Sequence, residues 1–191
     1  MKLSKIVIVI AFAGTSGAVL AHSGATGVVK ERMDGMSALE KSVKAITPIM
    51  RGKDDYDADK VRAFAEDVAT HSGEAMTRLF PAGSGGMPSE AKDAVWSDWE
   101  EFASLAEDLH RLSEGLGMAA DNGIGGVSGA GSASMMGTDT MMGGQTGMMG
   151  DASPGAMIGF EELAEMPADA VFTMIAQTCS ACHTKYRAES K

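Results

Sequence analysis

Several things are scarce in this 191-residue chain, and each shortage removes a class of protein. No segment shows the period-two alternation of a half-buried strand, and β-branched residues are sparse, so a sheet architecture is excluded. Lys and Arg number 16 against 26 Asp and Glu. That acidic balance argues against nucleic acid and anionic membrane as partners, and suits a soluble protein that meets a basic docking face. No apolar run reaches the roughly 20 residues needed to cross a bilayer. Cysteine occurs only twice, three positions apart, at Cys179 and Cys182. A disulfide between them would close a very small loop and stabilise little of the fold, so these sulfurs serve something else.

What is present begins with an export signal. Lys2 and Lys5 flank the short apolar run 6–13, and small residues lead to a cleavage site after Ala21, with Val19 at −3. Residues 1–21 are therefore a signal peptide, and the mature chain from His22 is one 170-residue domain of the periplasm. Without Lys2 and Lys5, 14 basic residues face the same 26 acidic ones.

Four segments carry helical periodicity. The first, 27–50, has Val29, Met36, Val43 and Met50 seven apart, interleaved with Arg32, Leu39 and Ile46, which makes an a/d seam holding one charge. The second spans 57–79 with Asp57 as N-cap. The third runs from about 89 to 116 with Val95, Trp99, Phe102, Ala106, Leu109 and Leu116 on one face. After a short helical turn at "FEELAE", Pro167 stands as a first-turn proline for the last helix. That helix aligns Phe172, Ile175, Cys179, Cys182 and Tyr186. Between the third and fourth helices, 117–159 is rich in Gly, Ser and Met and reads as a flexible insertion. The pattern predicts an all-α, antiparallel up-down-up-down four-helix bundle.

The chemistry lies in "TCSACHTKYR" at 178–187. C-x-x-C-H is the attachment motif for c-type haem. Cys179 and Cys182, i and i+3 on a helix, can form thioethers with the two vinyl groups, and His183 can place a nitrogen on the iron. A thioredoxin-like pair would need its C-x-x-C at a helix start after a strand, and a zinc site a fourth ligand. His71 and His110 flank apolar stripes as boundary residues. His22, as a mature N-terminus, has the donors for Cu(II), with no second histidine paired to it.

A haem motif at the end of an exported four-helix bundle resembles the class II cytochromes c, the cytochrome c′ family. "CSACHTKYR" is similar to that family's ending, and "VWSDWEEFASLAEDL", "LFPAGS" and "ERMDGM" resemble its low-spin members. The resemblance covers 27–187 apart from the insertion. It implies one covalent haem c, Arg32 near a haem propionate and Met36 as second axial ligand. Met36 also reads as core filler, and Met33, on the flank of the seam, is the second choice of ligand. Trp99 is the expected haem neighbour, Tyr186 lies on the haem-side face, and Arg187 resembles an arginine that tunes the haem or holds a propionate.

The expected function is one-electron transfer with redox partner proteins, and a homodimer is compatible with it. The other reading within the family is a five-coordinate haem that binds nitric oxide or carbon monoxide. No general acid, base or nucleophile converges on the haem face, so the chain is not read as an enzyme. The insertion has two readings. It is a low-complexity linker, or the pairs Met135 and Met136, Met141 and Met142, and Met148 and Met149 bind Cu(I) through soft thioethers.

Overall fold

The computed structural model describes residues 24–125 and 158–189. Residues 1–21, read above as an export signal, His22 and the six paired methionines fall outside them. Helix α1 (Gly27–Met50) has the predicted bounds. Helix α2 (Ala58–Thr70) starts where Asp57 accepts hydrogen bonds from the Asp59 and Lys60 N–H groups, at 3.1 and 3.2 Å, which satisfies two of the orphan donors at a helix start.

The expected run to 79 is interrupted. Helix α2 ends at Thr70, and a short α3 (Gly73–Thr77) follows. Gly73 has φ +56°, and a Cβ there would sit 3.2 Å from both His110 Cβ and Glu107 Oε2. A close approach to the neighbouring helix, joined to a left-handed backbone, breaks the column at a position only glycine tolerates.

The third column is also divided, into α4 (Ala94–Ser97) and α5 (Trp99–Ala119). Residues 89–93, expected to be helical, are not. Ala91 instead pairs as an antiparallel bridge with Arg187. At the other end the insertion starts later than 117. Helix α5 continues to Ala119 and tightens into a 3₁₀ turn (Ala120–Asn122), with Ala119 and Ala120 fully buried. Tyr56 Oη donates to Ala120 O at 2.5 Å and fixes that end.

Ile158 packs against the core, α6 (Phe160–Glu165) follows, and Pro167 is the N-cap of α7 (Ala168–Tyr186), one residue before the first turn. Leu163 seats on Gly115, whose lack of a side chain lets α6 lie against α5.

Helices α1, α2–α3, α4–α5 and α7 are the four columns of the bundle, and no strand occurs among the described residues. The apolar core is centred on α2, α5 and α7, through Val61, Leu112, Leu116, Val171 and Ile175, with Phe64 and Phe172 edge to face at 5.6 Å. Helix α1 packs chiefly on α2 and touches α7 only lightly. Its C-terminal Ile46, Ile49 and Met50 are buried, whereas Met36, Leu39 and Val43 are only half-buried. The apolar seam of α1 therefore diverges from α7 towards its N-terminal half. A cavity lies there.

Candidate haem-binding site

The cavity measures about 370 Å³, within the range of small-molecule and cofactor sites. Helix α1 supplies Arg32, Met33 and Met36, and α7 supplies Cys182, His183 and Tyr186. Phe80, Val95 and Phe102 form the apolar floor, while Glu40, Glu90 and Arg187 stand among the polar lining. Residues more than 140 positions apart in sequence thus meet in one space.

His183 sits in the last turn of α7. Burial, and then the Arg187 charge, push its imidazole below the ordinary value, which keeps a nitrogen lone pair available at neutral pH. Cys179 lies one turn earlier, half-buried against the core. Burial raises its thiol, and burial together with Cys179 pushes the Cys182 thiol up to about 11. Neither is a thiolate near neutrality. A reactive redox pair needs the opposite, a depressed thiol at a helix N-terminus. The two cysteines are not joined in a disulfide.

Arg32 is 6% exposed. Its guanidinium donates to Leu79 O at 2.9 Å, Ser84 Oγ at 2.9 Å, Ser84 O at 3.3 Å and Ser89 Oγ at 2.8 Å, and lies 4.0 Å over the Phe80 ring. All four acceptors are neutral, and the buried Nε–H has none. Desolvation alone pushes the group downward. A buried cation with only neutral acceptors is costly unless an anion joins it. Its place in the cavity wall and its spare donor fit the carboxylates of a haem.

Tyr186 is buried with its phenol oxygen unbonded, and burial raises its pKa. Its ring meets Phe102 edge to face at 5.4 Å. Arg187 Nε pairs with Glu90 Oε2 at 2.8 Å. Met36 and Met33 both reach the cavity, so lining alone does not separate them. Trp99 does not line it. Its side chain packs on Phe102 at 5.7 Å and is 40% exposed, so Phe80 and Phe102 take the place expected for it. Phe102 shared the apolar stripe of the third helix with Trp99, and that stripe could not rank the two. The part of Glu90 had no local signal, because its partner Arg187 is remote in sequence.

The donor set, the cavity and the unpaired Arg32 donor together fit haem c. Cys179 and Cys182 would hold it covalently, His183 would be an axial ligand, and Arg32 would face its carboxylates.

A family model described as Cytochrome C' matches residues 27–138. Cytochrome c-556 of Agrobacterium tumefaciens (strain II Chrys) is 32% identical over 83 residues, 44% of this chain and 66% of that one, just under two thirds of its length. Cytochrome c' of Alcaligenes xylosoxydans xylosoxydans is 27% identical over 95 residues, covering 50% and 72%. Among solved structures, cytochrome c' from Thermochromatium tepidum superposes with a TM-score of 0.55 at 22% identity, over 85% of this chain and 95% of that one. A nitric oxide complex of a variant cytochrome c prime from Alcaligenes xylosoxidans gives 0.55 at 21%, over 85% and 94%. The fold of the solved relatives is the bundle found here. The chain belongs to the cytochrome c′ family and is a c-type cytochrome with covalently bound haem c.

Proposed function

We propose that this protein is an exported, periplasmic one-electron carrier whose haem iron is ligated by His183 and Met36. When bound, haem c supplies an iron that alternates between ferric and ferrous states. The chain supplies the rest. The observation that carries the reading is that α1 brings Met36, in its apolar seam rather than on the flank where Met33 lies, into the cavity that His183 of α7 also lines. Phe80, Val95 and Phe102 exclude water, and Arg32 offers a positive charge to a carboxylate. Two ligands held on separate packed helices move little between redox states, which favours fast transfer. Among the described residues no helix is long and apolar enough to cross a membrane, and the acidic chain suits redox partners with a basic docking face.

The test is the optical spectrum of the oxidised holoprotein. A sulfur-to-iron charge-transfer band is expected, lost in Met36→Ala and kept in Met33→Ala. Loss in Met33→Ala alone would transfer the role to Met33. A high-spin wild-type spectrum would favour the second reading, a five-coordinate haem that binds nitric oxide or carbon monoxide. That reading is supported by the relatives solved as nitric oxide and carbon monoxide complexes.

Cu(I) capture by the paired methionines is a separate reading, supported by their thioether chemistry alone. Titration with Cu(I) against a competing chelator should then saturate at a fixed ratio, and replacing Met135, Met136, Met141, Met142, Met148 and Met149 should abolish it.

A further inference from the structure

The turn of α7 that carries His183 is held from outside its own helix. The last turn of α7 has carbonyls with no partner within the helix, so it would fray unless other groups take them. The Arg187 and Glu90 charges act on the ring, and the backbone that carries it sets the point from which it enters the cavity. That backbone is held on two sides. On one, Lys92 bonds twice: its N–H donates to Tyr186 O at 2.8 Å and its Nζ to Thr184 O at 3.0 Å. Ala188 N–H donates to Glu90 O at 2.8 Å and extends the same seam. On the other side Lys185 Nζ lies 3.4 Å from Asp98 Oδ2 and bonds Glu101, both at the start of α5.

Lys92 thus caps the carbonyl end of α7 from a remote segment, with its charge at the favourable pole of the helix dipole. Lys185 ties the same turn to the helix that carries Phe102 of the cavity floor. Neither lysine lines the cavity.

We propose that Lys92 and Lys185 are positioning residues for the axial imidazole, two latches that fix the His183 turn against α5 and the 89–92 segment. The inference rests on the reading of His183 as an iron ligand. Outer partners that orient a ligand tune the metal as well as hold it. Removing both ammonium groups, with the Lys92 main-chain bond still in place, should let the turn loosen and the ring sample several orientations while the covalent attachment persists.

The experiment uses the full-length holoprotein with Lys92→Met, Lys185→Met, the double variant, and Lys92→Arg with Lys185→Arg. Intact mass checks haem attachment, urea unfolding reads stability, and ferric electron paramagnetic resonance with redox titration reads the iron. In the double methionine variant the haem should stay attached, the resonance lines should broaden and the potential should shift. The arginine pair should restore both signals. Unchanged line shape and potential alongside a lower urea midpoint would overturn the proposal and leave the lysines a structural role only. Line shape and potential altered equally in the methionine and arginine pairs would also overturn it, since charge and reach would then not matter. His183→Ala, made separately, tests the ligand itself. If that change leaves the iron spectrum untouched, the ligand assignment has failed independently of the latches.

Discussion

Arg32 puts a buried charge in the apolar seam of α1, and its four acceptors come from one stretch, 79–89. The side chain therefore does two things: it straps that stretch over the cavity, and it keeps a positive charge in the cavity wall. Substitution separates them. Arg32→Leu removes hydrogen bonds to a charged group, each worth about 1.5–3 kcal/mol. It also relieves the desolvation of an incompletely compensated cation, so a net loss of about 2 kcal/mol is expected in urea unfolding. The haem potential should fall as well, because removing a positive charge from the cavity wall favours ferric iron, which carries one more positive charge than ferrous. Arg32→Lys keeps the charge but not the planar fork, so it should keep most of the potential and little of the lost stability. Loss of stability with no change of potential in Arg32→Leu would mean that the strap is the whole role.

At the scale of the helices, glycine and a single cap decide where columns meet and begin. A Cβ on Gly115 would lie 2.7 Å from Leu163 Cδ1 and 2.8 Å from Leu163 Cβ. Gly115→Ala would gain about 1 kcal/mol of helix propensity. Overpacking costs about 1–3 kcal/mol, and the Cβ of Leu163 cannot swing aside as a side-chain tip could. Overpacking should win by about 1 kcal/mol, and Gly115→Ala should cost less in a Leu163→Ala background than in the wild-type chain.

Asp57 acts at the start of α2. The Lys60 N–H holds its carboxyl below the ordinary value of 3.8. A depressed carboxyl stabilises the fold above its unfolded pKa, and that contribution is lost as pH falls through the folded value. Asp57→Ala should therefore lower Tm by a few degrees near neutrality. The gap from wild type should close as the pH drops below 3.8. A gap that persists there would mean that the carboxylate is not what caps the helix.

For the whole molecule the question is how much of 117–159 the bundle needs. Residues 117–125 belong to it: Ala119 and Ala120 are fully buried, and Gly125 N–H donates to Asp169 Oδ1 at 2.8 Å. Ile158 belongs to it too, since its carbonyl accepts from Arg111. Replacing 126–157 by a short Gly/Ser bridge should leave the haem spectrum and potential unchanged. Loop-closure entropy varies by only about 0.6 kcal/mol per doubling of length, so stability should move little or rise slightly. Extending the deletion back to 117 removes buried side chains and should destabilise the bundle severely. A spectrum changed by the shorter deletion would give 126–157 a part at the haem that its composition does not suggest.

Whatever is local or covalent was legible in the residues alone. The C-x-x-C-H spacing depends only on three residues of one helix, the Asp57 cap on the N–H groups just after it, and the bounds of α1 on a single uninterrupted periodicity. The rest was settled by packing between helices. The break before Gly73 answers His110 and Glu107 on another helix, and residues 89–92 give up helical bonds for partners on the far end of the chain. Phe102 rather than Trp99 faces the cavity because the bundle rotates α5 that way, which a stripe containing both could not show. Such choices are made by contacts between residues tens of positions apart, and local propensity does not register them.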